Sequence, residues 1–145
     1  MIRDFLHVGI SVRNLEESVR FYTEVMEMEE DARAYHKGDK VSQVVDIEDA
    51  EVEVCYVKKG NHRLELIEYK ERDEEKRKYV YKKQYEPGLV HIAFLVDDVD
   101  KMYEKIRTLG YEFNSTPMVT RENGPKIAFF KGPDNVIIEL YEKTV

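Results

Sequence analysis

Two histidines and two glutamates draw attention first, because each type recurs at a matched place. Setting residues 5–22 against 89–106 aligns FLHVGISVRNLEESVRFY with LVHIAFLVDDVDKMYEKI at an offset of 84 residues. His7 falls on His91, Val8 on Ile92, Gly9 on Ala93 and Val12 on Val96. Later in each half RLELIEY (63–69) resembles IIELYE (137–142), which sets Glu65 on Glu139. A carboxylate buried in an apolar strand is costly unless it is paired or bound to a cation. Two imidazoles and two carboxylates on one surface suit a divalent transition metal, with coordination positions left for water or substrate. The repetition carries this expectation. A single histidine at a strand start, or a single glutamate on an edge strand, would read as structural.

The elements around these residues must point them the same way. Each half reads as a strand, a helix and then several strands. Phe5–Val12 and Leu89–Val96 have the branched and aromatic content of strands. Side chains alternate faces along a strand. Val8, Ile10 and Val12 therefore share the face that a helix covers, and His7 and Gly9 take the other. Ile92, Phe94 and Val96 likewise oppose His91 and Ala93. Leu64 and Leu66 flank Glu65, and Ile138 and Leu140 flank Glu139, so both glutamates join the histidine face. Glu68 and Glu142 alternate away from that face and read as solvated.

Asn14 is a good N-cap with Glu17 three residues on. Leu15, Val19, Tyr22 and Met26 then form a helical stripe. Asp98 caps a second helix carrying Val99, Met102, Tyr103 and Ile106, and Gly110 stops it. Strands are predicted over 41–47, 50–58 and 62–69, with turns at Glu48–Asp49 and Gly60–Asn61. Three more are predicted near 111–120, 125–131 and 135–142, the last after a Gly132–Pro133–Asp134–Asn135 turn. The domain reading is one domain of two modules, 1–69 and 89–145, joined by a charged linker over 70–88. In that linker Tyr79, Tyr81 and Tyr85 are candidates for lining a ligand cavity. His36 and His62 sit in polar contexts and read as exposed.

Composition narrows the class. The chain has 145 residues, with 30 acidic against 23 basic and a net charge of −7. That length suits one globular domain. The acidic balance argues against a nucleic-acid partner, since phosphate binding draws on a surplus of Lys and Arg. The single cysteine, Cys55, excludes an intrachain disulfide and a zinc site of several thiolates. Within EVEVCYV it reads as a packed core thiol. Arg3 and Asp4 interrupt any apolar run a signal peptide would need. The apolar stretch near Leu89–Val96 is too short to span a bilayer. A cytoplasmic protein without a membrane partner is expected.

HVGISVRNLEESVRFY, LELIEY, HIAFLVDD and GPDNVIIELYE together resemble the vicinal oxygen chelate superfamily. That group includes glyoxalase I, methylmalonyl-CoA epimerase, extradiol dioxygenases, and fosfomycin- and bleomycin-resistance proteins. The resemblance runs from His7 to Glu142. It implies an α+β fold of two paired βαβββ modules forming a curved mixed sheet around a central metal-binding cavity.

The family's ligand pattern carries onto His7, Glu65, His91 and Glu139, which would hold one divalent metal (Ni, Co, Zn, Mn or Fe). The activity implied is that of a glyoxalase I-like lyase or isomerase, taking a proton beside a carbonyl through an enediolate or enolate. Glu139 is the first candidate for the base, Glu65 the second and Glu48 a third. Extradiol dioxygenases lack the carboxylate at the place of Glu65, and the epimerase typically has glutamine there. The offset of 26 from Glu65 to His91 pulls toward the epimerase, which pairs its modules within one chain. An epimerase-like racemase, an extradiol dioxygenase and a metal-free binding or resistance protein stay open as alternatives, because one fold hosts many chemistries. The substrate implied is a small molecule, such as a glutathione or coenzyme A adduct. Arg13 matches a residue often found in the family, and Arg121 and Lys126 offer positive charge for such a substrate. The family is commonly homodimeric.

Overall fold

A computed structural model describes residues 1, 3–70 and 83–143 of the chain. The chain divides into two units, Met1–Lys78 and Tyr79–Val145. The division falls within the charged segment expected as a linker, of which residues 71–82 lie outside those described. Tyr79 and Tyr81 are therefore outside them too.

The first unit runs β1 (Val8–Ser11), α1 (Leu15–Arg20), a π-helical turn (Phe21–Val25), β2 (Glu29–Lys37), α2 (Asp39–Val45), β3 (Glu51–Lys59) and β4 (His62–Tyr69). Its four-stranded sheet has the order β1-β4-β3-β2. β1 is parallel to β4, and the other neighbours are antiparallel. The second unit runs β5 (His91–Leu95), α3 (Val99–Thr108), β6 (Met118–Val119), β7 (Lys126–Lys131), a 3-10 turn (Pro133–Asn135) and β8 (Ile137–Glu142). Its sheet repeats the plan as β5-β8-β7-β6, with β5 parallel to β8. The fold is thus α+β with two four-stranded mixed sheets. Among the described residues no helix is long and apolar enough to cross a membrane.

The helices α1 and α3 start where a side chain caps them. The Asn14 Oδ1 accepts from the Glu17 N–H at 3.0 Å, and the Asp98 Oδ1 accepts from the Lys101 N–H at 3.0 Å. Each satisfies a backbone donor that has no partner inside its helix. Gly110, at φ +93°, turns the chain after α3 as a residue without Cβ can. The first stripe stays on one face but not in one regular helix. The Met26 N–H reaches back five residues to the Phe21 carbonyl at 3.2 Å, which is π-helical bonding. Leu15, Val19, Tyr22 and Met26 are all buried. α1 packs on β3 and β4, where Cys55, Val57, Leu64 and Leu66 are buried. In the second unit α3 packs on β7 and β8, with Val99, Ile106, Phe130, Ile138 and Leu140 fully buried.

Two local expectations need correction, and one strand was not foreseen. Residues 41–47, predicted as a strand, hold the helix α2. Val41 and Val45 are four residues apart, so a helix turns both inward against Ala50, Val52 and Val54. β2 was not legible, because its residues are exposed apart from the half-buried Ala34 and its only apolar alternation is the small pair Ala32 and Ala34. It is an edge strand, held by backbone pairing to β3 and by ion pairs such as Lys37–Glu51 at 2.7 Å and Asp31–Lys58 at 2.8 Å. The stretch 111–120 pairs only at Met118–Val119, with a single bridge from Phe113 to Phe130.

Glu68 and Glu142 are not merely solvated. The Glu68 Oε2 accepts from the Leu15 N–H at 2.7 Å, and the Glu142 Oε2 accepts from the Val99 N–H at 2.7 Å. In each unit the last long strand carries Glu-x-x-Glu, and the odd spacing puts its two carboxylates on opposite faces. The second one closes the start of the helix, where negative charge is also favoured by the helix dipole. Glu142→Ala should therefore destabilise the chain by about 1 kcal/mol, the usual effect of losing a helix N-terminal acceptor. Urea denaturation checks this. A change within experimental scatter would show that the contact contributes nothing.

Candidate functional site

The parallel pairing of first and last strands brings histidine and glutamate together in each unit. Gly9 stands opposite Glu65 in the β1–β4 register, and Ala93 stands opposite Glu139 in the β5–β8 register. Each histidine lies two residues before the small residue, on the same face. The His7 Nε2 is 2.9 Å from the Glu65 Oε2, and the His91 Nε2 is 3.3 Å from the Glu139 Oε2. A Cβ built on Gly9 would meet the Glu65 Oε2 at 3.7 Å, an ordinary contact. The alanine at position 93 in the second unit is in keeping with this. Both glutamates are largely buried, with side-chain exposures of 18% and 14%. Among the described residues the buried Nδ1 atom of each ring has no hydrogen-bond partner, and it is Nε2 that faces the carboxylate.

Antiparallel pairing adds an aromatic ring to each pair. Tyr56 stands opposite Glu65, and Phe129 stands opposite Glu139. The His7 and Tyr56 rings are 5.8 Å apart, and the His91 and Phe129 rings 5.5 Å apart. The Tyr56 hydroxyl donates to the Glu65 Oε1 at 2.6 Å. That bond, with burial, raises the phenol above its ordinary pKa. Neither ring was singled out from the sequence. A signal did exist for Tyr56, since the two-residue Gly60–Asn61 turn fixes the hairpin register and pairs residue 56 with residue 65.

Other candidates lie apart from the pairs. Glu48 is exposed in the turn before β3, and His36 and His62 are exposed. Arg13 is exposed in the β1–α1 connection, and Arg121 is exposed in the turn before β7. The Lys126 Nζ is paired with the Asp100 carboxylate on α3. It lies three residues before Phe129, so strand alternation puts it on the helix-covered face, opposite Glu139. Tyr85 is exposed, with the Lys83 Nζ 5.7 Å over its ring. Cys55 is fully buried, and burial pushes its thiol pKa up to about 11, the state of an inert core thiol.

Each unit therefore offers two donors, an imidazole nitrogen and a carboxylate oxygen. Among the described residues no three His, Cys, Asp or Glu side chains gather as the ligand set of one metal. Each pair has the donor types that a divalent transition metal takes.

The family model for the Glyoxalase/Bleomycin resistance protein/Dioxygenase superfamily matches residues 4–140. The chain belongs to this superfamily. Lactoylglutathione lyase GLX1 of Arabidopsis thaliana is 28% identical over 148 residues, covering 97% of this chain and 44% of that protein. Mitochondrial methylmalonyl-CoA epimerase of Homo sapiens is 30% identical over 111 residues, covering 73% of this chain and 56% of that protein. The chain spans about half the length of these two curated relatives. The crystal structure of a glyoxalase family protein from Bacillus cereus has a TM-score of 0.85 at 20% identity, covering 100% of this chain and 97% of that one. A mutant of the fosfomycin resistance protein FosX from Listeria monocytogenes, complexed with Mn(II) and 1S,2S-dihydroxypropylphosphonic acid, has a TM-score of 0.64 at 19% identity. It covers 100% of this chain and 94% of that one. Membership in the superfamily includes enzymes among its possibilities and leaves the particular activity open.

Proposed function

We propose that this superfamily member is a divalent-metal-dependent, glyoxalase I-like lyase or isomerase. It would take a proton from the carbon beside a carbonyl of a small oxygenated substrate. One observation carries the reading. The same His–Glu pair, in the same strand register, recurs in both units, at 2.9 Å and 3.3 Å. Four donors of these types would hold one ion of Ni, Co, Zn, Mn or Fe, through His7, Glu65, His91 and Glu139. They would come from the two units of one chain or from two copies in a homodimer. When bound, such an ion supplies Lewis acidity toward a substrate carbonyl oxygen.

The chain's own groups have separate tasks in this reading. His7 and His91 serve as neutral donors through Nε2. Glu139 takes the proton and returns it to the same or a neighbouring carbon, with Glu65 the second candidate. Arg13 and Arg121 would meet anionic groups of a glutathione or coenzyme A adduct. Lys126 would have to leave Asp100 to do so. We propose a cytoplasmic location.

A substrate panel on metal-loaded protein tests the reading. Turnover of the hemithioacetal of methylglyoxal and glutathione is expected, lost with a chelator and restored by added metal. No turnover would overturn it. The similarity to methylmalonyl-CoA epimerase favours a second reading, an acyl-CoA racemase. Epimerisation of methylmalonyl-CoA, with no action on the hemithioacetal, would select that instead.

A further inference from the structure

The two His–Glu pairs match in register but differ in what holds their glutamates. In the first unit both oxygens of Glu65 are engaged. Oε2 faces the His7 Nε2 at 2.9 Å, and Oε1 accepts from the Tyr56 hydroxyl at 2.6 Å. The Tyr56 ring is itself held. The Arg63 guanidinium lies 4.1 Å over its centroid, a cation–π arrangement. Arg63 is held in turn by Asp31, with Nη2 to Oδ2 at 2.5 Å. In the second unit the equivalents are apolar. Phe129 takes the place of Tyr56 opposite the glutamate, and Ile137 takes the place of Arg63 two residues before it. Among the described residues Glu139 has His91 as its polar partner and no donor at its other oxygen.

We infer that Tyr56 is a positioning residue that makes the two glutamates unequal. It would hold Glu65 in one orientation as a ligand for a bound metal, whereas Glu139, facing Phe129, would keep the freedom to turn toward a substrate. This rests on the metal-dependent reading above. A carboxylate gripped at both oxygens keeps one orientation. One gripped at a single oxygen can rotate at little expense. Partners that orient a ligand typically change metal affinity by about 10–100-fold when removed.

The test is the dissociation constant of Co(II), measured by competition with a chromophoric chelator. Tyr56→Phe is conservative, since Phe129 shows that a bare ring fits the equivalent place. It should weaken Co(II) binding about 10-fold or more. The loss should vanish in a Glu65→Gln background and persist in a Glu139→Gln background, because coupling is confined to groups in contact. Phe129→Tyr should give Glu139 the missing donor and tighten Co(II) binding. Unchanged binding in Tyr56→Phe, or equal losses in both glutamine backgrounds, would overturn the inference and leave the metal-dependent reading standing. So would Phe129→Tyr binding no tighter than wild type. Wild-type protein that binds no Co(II) overturns both.

Discussion

Glu139→Gln should lower kcat by about 10²–10⁴-fold on whichever panel substrate the protein turns over, the usual contribution of a positioned general base. The amide keeps the shape of the side chain and an oxygen facing the His91 Nε2, but it cannot accept the proton. The flanking Ile138 and Leu140 are fully buried and hold the strand in register, so the fold should survive. Glu65→Gln should act differently, weakening metal binding more than it slows the metal-saturated enzyme. The contrast follows from the Tyr56 hydroxyl, which grips Glu65, whereas Phe129, opposite Glu139, has no hydroxyl. Steady-state kinetics at saturating metal separate the two effects. If Glu139→Gln turns over as fast as wild type, Glu139 is not the base.

Phe130→Ala should destabilise the protein by about 3–5 kcal/mol, in the range for emptying the space of a buried aromatic ring. Phe130 is fully buried on β7, where it pairs with Ile138. Phe113 lies against it at 4.9 Å between ring centroids, Tyr111 at 6.1 Å, and Tyr103 reaches Phe113 at 4.7 Å. Removing the ring takes away the centre of this cluster, and the paired strands cannot close over the void. The same strand carries Phe129 on its other face, opposite Glu139, so the loss should also loosen the second His–Glu pair. Chemical denaturation measures the effect. A loss below about 1 kcal/mol would mean that the site collapses far more readily than buried aromatic sites do.

The parts of the fold that depend on strong local signals were readable from the chain alone. Asn14 and Asp98 announced the helix starts, Gly60–Asn61 announced a hairpin, and leucines flanking Glu65 placed its carboxylate away from the helix. What stayed hidden depends on pairing with distant residues. β2 gains its structure from β3, and its own apolar content is little more than Ala32, Ala34 and Tyr35. α2 was masked because Val41, Val44 and Val45 are β-branched, and only tertiary packing of Val41 and Val45 selects the helix. Glu68 and Glu142 looked solvated because their acceptors' partners, the Leu15 and Val99 N–H groups, lie 53 and 43 residues away in sequence. The His–Glu pairs were legible because the chain states them twice.

Metal content tests the central claim most directly. Protein dialysed against Ni, Co, Zn or Mn and then against buffer should retain about one ion per chain, by elemental analysis, since four donors serve one ion. That number holds whether the two pairs meet within a chain or across a dimer. His7→Ala and His91→Ala should each lose the ion while unfolding cooperatively near the wild-type midpoint. Wild-type protein that retains no metal, or both variants retaining it in full, would contradict the account.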